Sequence, residues 1–197
     1  MSEGETPHRN TMKIVLLGES TVGKTALRQV YTGEAYQETY QPTLGVDYSV
    51  KEDVGEEGRV WKWQICDLAG TPNYRPLRSL LYPGAEGAIL VYDLGNLASL
   101  SRLHHWIGEL YTVVGTGIPL LILGNKKDLQ ETETVCLAAE QGAEFVKQLR
   151  ERFELQWIGF METSAKTSTN VAKAFDELKT LIQEKKGWRE EDTEQFI

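Results

Sequence analysis

Six short segments of the chain have the length and apolar pattern of a strand: residues 12–18, 46–52, 60–66, 87–93, 118–124 and 157–163. Segments such as "KIVLL" and "AILVY" are apolar throughout, which is typical of strands that are covered on both faces of a sheet. The second and third segments are joined by "DVGEEGR", whose glycines predict a hairpin connection.

Between these segments, apolar residues recur at three- and four-residue intervals. This spacing predicts helices over residues 100–114, 139–153 and 171–182, and a further helix is expected to begin near Lys24. Strands that alternate with helices indicate an α/β fold. We expect a single three-layer P-loop NTPase domain with a mostly parallel six-stranded sheet and helices on both faces. In such sheets ligands bind at the carboxyl ends of the strands.

The length of 197 residues suits one domain with its own core. We assign residues 12–186 to this domain, residues 1–11 to a flexible segment and residues 187–197 to an acidic tail. The net charge of -8 argues against nonspecific binding to nucleic acid or anionic lipid. Residue 2 is serine and the last four residues contain no cysteine, so we expect a cytoplasmic protein without a lipid anchor of its own.

A glycine-rich segment follows the first predicted strand and opens a predicted helix. "GESTVGKT" (residues 18–25) fits the pattern G-x-x-x-x-G-K-[ST] in the strand-to-helix context that the pattern requires. Its backbone N–H groups can surround phosphate oxygens, the Lys24 ammonium supplies positive charge, and the Thr25 hydroxyl can ligate Mg²⁺. The residues expected around the phosphates are Ser20, Thr21, Val22, Gly23, Lys24, Thr25 and Ala26.

Two polar motifs follow later strands: "GNKKDL" (residues 124–129) and "ETSAK" (residues 162–166). Asp128 can accept hydrogen bonds from the N1–H and the exocyclic amine of guanine, whereas adenine would leave its carboxylate unpaired. Asn125 can tie this loop to the phosphate site, and the stem of Lys126 can cover the base. Backbone N–H groups for the guanine oxygen are expected at Ser164, Ala165 and Lys166.

With these motifs in this order, the chain resembles the Ras superfamily of small GTPases, and most closely its Rab branch, over roughly residues 12–185. The resemblance implies a molecular switch that binds GTP and GDP with Mg²⁺ and hydrolyses GTP. It also implies signalling or trafficking-type regulation by effectors, exchange factors and GTPase-activating proteins that contact residues 36–46 and 67–82. The lipid-bearing C-terminal cysteines of Rab proteins are missing from this sequence.

The resemblance further assigns roles in the two switch segments. The expected magnesium ligands are Thr25, Thr43 and Asp67, with Thr43 reaching the ion only when a γ-phosphate is present. Tyr36 is expected to pack against guanine and Tyr40 to close over the phosphates. Gly70 is expected to approach the γ-phosphate through its N–H, because it has no side chain. The candidate catalytic residues are Lys24, Thr43, Gly70 and Thr71.

Thr71 departs from the family pattern, because most relatives carry there a glutamine that orients the attacking water. The threonine side chain is shorter and stiff at χ1, and Pro72 restricts its backbone to extended conformations. We therefore predict slow intrinsic hydrolysis, with Arg75 as a candidate to assist in cis. Two alternatives stay open: a GTP-dependent interaction module with negligible hydrolysis, and an adenine-specific P-loop enzyme, against which "GNKKD" argues.

Trp61 and Trp63 lie on one face of a predicted strand, because side chains alternate with a period of two. Two interpretations of this pair are open. The indole rings can pack against the sheet, or they can form an apolar patch for a partner beside the switches.

Overall fold

A computed structural model describes residues 9–36, 41–54, 60–131 and 139–187. The strands in this part of the chain are β1 (Arg9–Leu17), β2 (Val46–Val54), β3 (Val60–Leu68), β4 (Gly87–Asp93), β5 (Leu120–Asn125) and β6 (Ile158–Glu162). They form one six-stranded sheet in the order β2-β3-β1-β4-β5-β6. The β2–β3 pair is antiparallel and the other four pairs are parallel, so the prediction of a mostly parallel sheet is confirmed.

The α-helices within the described ranges are α1 (Lys24–Thr32), α2 (Arg75–Leu81), α3 (Leu97–Ser101), α4 (Leu103–Val114), α5 (Ala139–Phe153) and α6 (Val171–Lys186). They cover both faces of the sheet, as the alternation along β1 illustrates. Ile14 and Leu16 pack in a core cluster with residues of α1 and α6, whereas Val15 and Leu17 pack in a second cluster with residues of α3, α4 and α5. The predicted three layers are therefore present.

The structure differs from the sequence-based expectation by a few residues at several element ends, and more substantially in three places. Strand β1 begins at Arg9 because the backbone of residues 9–11 pairs with residues 60–62 of β3, so these residues belong to the sheet and not to a flexible segment. The helix expected over residues 100–114 is divided into α3 and α4 at Arg102. Helix α2, preceded by a 3-10 turn at Pro72–Tyr74, had no counterpart among the predicted elements.

Trp61 and Trp63 both lie in the core under α1 and α6. Trp63 is 1% exposed and makes edge-on contacts with Tyr31 of α1 and Phe175 of α6, at centroid distances of 6.1 and 5.9 Å. Its indole N–H donates to Asp53 of the neighbouring strand. The interpretation of these rings as an exposed partner-binding patch was wrong, because helices from two distant parts of the chain cover this face of the sheet.

Candidate functional site

An open cavity of about 490 Å³ lies where β1 and β3 end and α1 begins. The residues lining it include nine of those expected from the sequence: Ser20, Thr21, Gly23, Lys24, Thr25, Ala26, Thr43, Gly70 and Thr71. Helix α1 has no side-chain cap at its first turn. The backbone N–H groups at its N-terminus therefore remain free to bind an anion.

Two glycines of the P-loop are required by close packing. A Cβ atom at Gly18 would lie 2.2 Å from the carbonyl oxygen of Val91, and one at Gly23 would lie 2.2 Å from Asn125 Nδ2. Both glycines also have positive φ, 139° and 100°, which other residues rarely adopt. The segment between them is consequently held close to the carboxyl ends of β4 and β5.

Lys24 brings a buried positive charge into the cavity. Its Nζ atom donates to the carbonyl oxygens of Gly18 and Glu19, at 2.9 and 2.7 Å. Burial lowers the pKa of Lys24 to about 8, although Asp67 and Glu19 act to raise it. A buried ammonium whose protein partners do not offset its burial is stabilised by an anion, so this position suits a phosphate.

Thr25, Thr43 and Asp67 converge beside Lys24. The hydroxyls of Thr25 and Thr43 lie 3.0 Å apart, and the Thr25 hydroxyl also donates to Asp67. Asp67 is fully buried, and its Oδ1 atom has no hydrogen-bond partner among the described residues. Burial raises the pKa of this carboxyl group against the opposing effects of Thr25 and Lys24. An unpaired buried carboxylate oxygen beside two hydroxyls fits Mg²⁺, which prefers oxygen ligands.

Asn125 joins the two later motifs to the P-loop. Its Nδ2 atom donates to the carbonyl oxygen of Val22 at 2.9 Å, and its Oδ1 atom accepts from the backbone N–H of Ala165 at 3.2 Å and the hydroxyl of Thr163 at 3.3 Å. The side chain is 1% exposed. Because its amide bonds both the P-loop, at Val22, and the segment of residues 162–166, Asn125 fixes the base-side loops relative to the phosphate side.

Asp128 and Ser164 meet on the same side. The Ser164 hydroxyl donates to Asp128 Oδ1 at 2.5 Å, which leaves Oδ2 of this carboxylate for another donor. Lys126 has a positive φ of 69°, and its Nζ lies 2.7 Å from Asp93 at the end of β4. Lys166 is exposed. The two motifs therefore form one polar surface at the ends of β5 and β6.

Of the residues expected in the two switch segments, some lie at the cavity and others do not. Gly70 lies against the P-loop, where a Cβ atom would come within 2.5 Å of Ser20 N. Thr71 has an exposed side chain and an extended backbone, with φ -89° and ψ 144°. Tyr36 is 38% exposed and is not among the residues lining the cavity, so its packing on a base stays a prediction. Tyr40 lies outside the described residues.

Thr21 has an unusual backbone conformation within the P-loop. Its φ is 67°, in the left-handed region that a β-branched residue enters only with strain. The side chain is exposed, and its hydroxyl donates to the carbonyl oxygen of Ser20 at 2.6 Å. The sequence places Thr21 among the phosphate-site residues but does not indicate this backbone conformation.

Arg28 of α1, which had not been singled out from the sequence, connects both ends of the first switch segment. This side chain is 4% exposed. Its Nη1 atom lies 2.6 Å from Glu34, before the segment, and its Nη2 atom lies 2.8 Å from Asp47, after it. Nη1 also donates to the hydroxyl of Ser49. Glu34 and Asp47, which flank the first switch segment (residues 36–46), are therefore joined by one buried guanidinium.

Arg78 of α2 was also missed, because a single arginine in a mixed polar segment is typical of a surface position. It is 2% exposed and forms a two-pronged ion pair with Glu109 of α4. Arg75 also lies near Glu109, at 3.6 Å, with 65% of its side chain exposed. Arg75 is therefore directed toward α4, and no observed contact supports its expected assistance in cis.

Comparisons with known proteins agree with this geometry. A model of the Ras family matches residues 13–184. The chain is similar to Ras-related protein RABD2a of Arabidopsis thaliana, at 35% identity over 173 residues, 88% of this chain and 80% of that protein. It is 35% identical to GTP-binding protein ypt1 of Schizosaccharomyces pombe over 175 residues, 89% and 81% of the two chains. It is 36% identical to Ras-related protein Rab-13 of Canis lupus familiaris over 177 residues, 90% and 82%.

Proposed function

Because this chain belongs to the Ras family of small GTPases, we propose that it is a Rab-like molecular switch that binds GTP and GDP with Mg²⁺ and hydrolyses GTP slowly without a partner. The observation that carries the proposal is the convergence of Lys24 with Thr25, Thr43 and Asp67 at the N-terminus of α1. The buried ammonium suits phosphate, and the unpaired Asp67 oxygen with the two hydroxyls suits the metal ion.

In this proposal, each side of the site has a separate task. Lys24 and the N–H groups of the P-loop bind and orient the phosphates, while Thr25, Thr43 and Asp67 would hold Mg²⁺. When bound, the ion supplies positive charge that neutralises the phosphate oxygens. Asp128 selects guanine, because its free oxygen accepts a hydrogen bond that adenine cannot donate.

The geometry at Thr71 supports the proposal of slow turnover. Its backbone is extended, as Pro72 favours, and its carbonyl oxygen accepts a 2.7 Å hydrogen bond from Arg78. A threonine hydroxyl held on this fixed backbone has a shorter reach than a glutamine amide. We therefore propose that the attacking water is oriented poorly in the isolated protein, which lowers the rate by about 10–100-fold relative to a positioned glutamine.

The experiment is single-turnover phosphate release from the GTP-loaded protein at saturating Mg²⁺, comparing wild type with Thr71→Gln. We expect the glutamine variant to be faster by about tenfold or more. Thr71→Ala is the matched control, because it removes the hydroxyl without adding an amide, and it should be as slow as wild type or slower. A wild-type rate well above that of Thr71→Gln would contradict the proposal and would mean that another residue orients the water.

A second candidate function is a GTP-dependent interaction module with negligible hydrolysis. The exposure of the Thr71 side chain favours it, because an exposed hydroxyl is not held in a fixed orientation toward an attacking water. Phosphate release in the presence and absence of cell extract distinguishes the two candidates. A switch accelerates when an extract supplies a GTPase-activating partner, whereas the module stays inactive in both conditions.

We further propose that partners contact the two switch segments. Leu44 and Leu80 are 79% and 76% exposed, and large apolar side chains at such exposure are typical of binding surfaces. Regulation of trafficking is proposed from the Rab-like relatives alone. No helix in the described part of the chain is long and apolar enough to cross a bilayer. The acidic net charge of -8 supports a cytoplasmic location.

A further inference from the structure

Arg78 and Glu109 form a buried ion pair, here called the latch, that joins α2 to α4. Arg78 Nε and Nη2 donate to the two oxygens of Glu109, each at 2.9 Å. The Tyr82 hydroxyl donates to the same carboxylate at 2.5 Å, and the guanidinium lies 4.6 Å from the centre of the Trp106 ring. A planar guanidinium paired at two points and stacked on a ring has little freedom to move.

The latch stays charged at neutral pH. Burial alone would raise the pKa of Glu109, but the hydrogen bonds from Arg78 and Tyr82 outweigh it and hold the pKa below its usual value. Removing one partner would therefore leave the other as a buried charge without compensation, which is strongly unfavourable. Helix α4 is part of the central core through Leu103, Ile107 and Leu110, so the latch is anchored to a rigid element.

The remaining nitrogen of Arg78 holds the turn that faces the P-loop. Nη1 donates to the carbonyl oxygen of Ala69 at 2.9 Å and to that of Thr71 at 2.7 Å. Gly70, between these residues, is so close to the P-loop that a Cβ atom would lie 2.5 Å from Ser20 N. One guanidinium therefore fixes the backbone on both sides of Gly70.

We propose that Arg78 is a positioning residue that directs the Gly70 N–H toward the γ-phosphate by holding the carbonyl groups of Ala69 and Thr71. The inference rests on the proposed function, because it assigns the γ-phosphate to the space beside Gly70. A donor that is already oriented costs less to use than one that must be ordered on binding. Arg78 thus favours GTP over GDP, which has no γ-phosphate, and supports the position of Thr71 for hydrolysis.

The test measures the affinities of the full chain for GDP and for a non-hydrolysable GTP analogue, both with Mg²⁺. Arg78→Met preserves much of the buried apolar volume but removes every hydrogen bond that Arg78 donates, to Glu109 and to the carbonyl oxygens of Ala69 and Thr71. We expect the affinity for the analogue to fall about tenfold, with the affinity for GDP changing less than about twofold. Single-turnover hydrolysis should fall by a similar factor of about ten.

Arg150→Met is the matched control, because Arg150 also donates to a backbone carbonyl, that of Ile158 at 3.0 Å, but lies between α5 and β6. It should leave both affinities unchanged. If Arg78→Met loses the same affinity for GDP and for the analogue, the role of Arg78 is merely structural and the inference is overturned. If neither affinity falls, the inference is overturned as well. If Arg78→Met does not fold, Glu109→Gln is measured in its place. We expect this variant to lose about threefold in affinity for the analogue and to keep its affinity for GDP. An unchanged ratio of the two affinities would overturn the inference.

The affinity ratio separates this inference from the proposed slow hydrolysis. A wild-type protein that binds both nucleotides but releases no phosphate would refute the hydrolysis. In that case the ratio of the two affinities, compared between wild type and Arg78→Met, still decides the role of Arg78, because the analogue is never cleaved.

Discussion

Replacing Thr21 with glycine should stabilise the protein. Thr21 lies in the P-loop with a φ of 67°, and its side chain is exposed, so it makes no packing contribution that the substitution would remove. Glycine adopts this conformation without strain. The perturbation therefore isolates the cost of placing a β-branched residue in the left-handed region.

The expected magnitude is the balance of three terms. The left-handed conformation costs a residue with a Cβ about 1–2 kcal/mol. Glycine loses about 0.5–1 kcal/mol more backbone entropy on folding than other residues. The Thr21 hydrogen bond to the adjacent Ser20 carbonyl is local and open to water, so its loss costs little. The net gain is about 0.5–1 kcal/mol, which corresponds to about 1–4 °C in the melting temperature of a domain of this size.

The assay is urea unfolding of the wild type and Thr21→Gly at saturating GDP and Mg²⁺, with GDP affinity measured in parallel, since a change in affinity alters the apparent stability. Ser20→Gly is the matched control. Ser20 is the adjacent P-loop residue and its φ is not positive. The same substitution there should destabilise by about 0.5–1 kcal/mol.

Opposite signs for the two glycine substitutions are the signature of strain at Thr21. If Thr21→Gly loses as much stability as Ser20→Gly, after correction for any change in GDP affinity, the strain argument is refuted. The native protein would then hold Thr21 in a conformation with negative φ.

Two further predictions concern the phosphate groups and the base of the nucleotide. Burial lowers the pKa of Lys24 to about 8, so the ammonium loses its proton as the pH rises through that value, and GDP affinity should fall about tenfold between about pH 7 and pH 9. Lys24→Gln carries no such titration, and parallel pH profiles for the two proteins would contradict the prediction. Asp128→Asn should weaken the binding of GDP and strengthen that of xanthosine diphosphate, because xanthine replaces the exocyclic amine of guanine with a carbonyl group. A competition assay between the two nucleotides measures this change. Asp176→Asn, on the surface of α6, should leave both affinities unchanged, and an unaltered base preference in Asp128→Asn would refute the assignment.

The strands and the P-loop could be predicted from the sequence because their signals are local. The apolar run at residues 87–93 has the same bounds as β4, because a strand that is apolar on both sides has to be buried on both faces of the sheet. "GESTVGKT" likewise predicts its own geometry, because the glycines, the lysine and the threonine that form the phosphate site are adjacent in sequence.

The latch could not be predicted, because it depends on contacts between distant residues. Arg78 is paired with Glu109, 31 residues away, and Pro76 interrupts the apolar pattern that would have indicated α2. The period of two placed Trp61 and Trp63 on one face correctly. Which face is covered is decided by α1 and α6, whose packing on β3 the strand sequence does not contain.

The joining of both ends of the first switch segment by Arg28 has a consequence for its dynamics. Moving Glu34 or Asp47 away would leave the buried Arg28 guanidinium without one of its two carboxylate partners, so both residues are expected to stay in place when Thr43 leaves the phosphate side. A loop with fixed ends gains less conformational entropy on release than a segment with a free end, and it closes again rapidly. Thr43 therefore returns to the phosphate side from a small volume, and the entropy lost when the nucleotide orders this segment is reduced before binding begins.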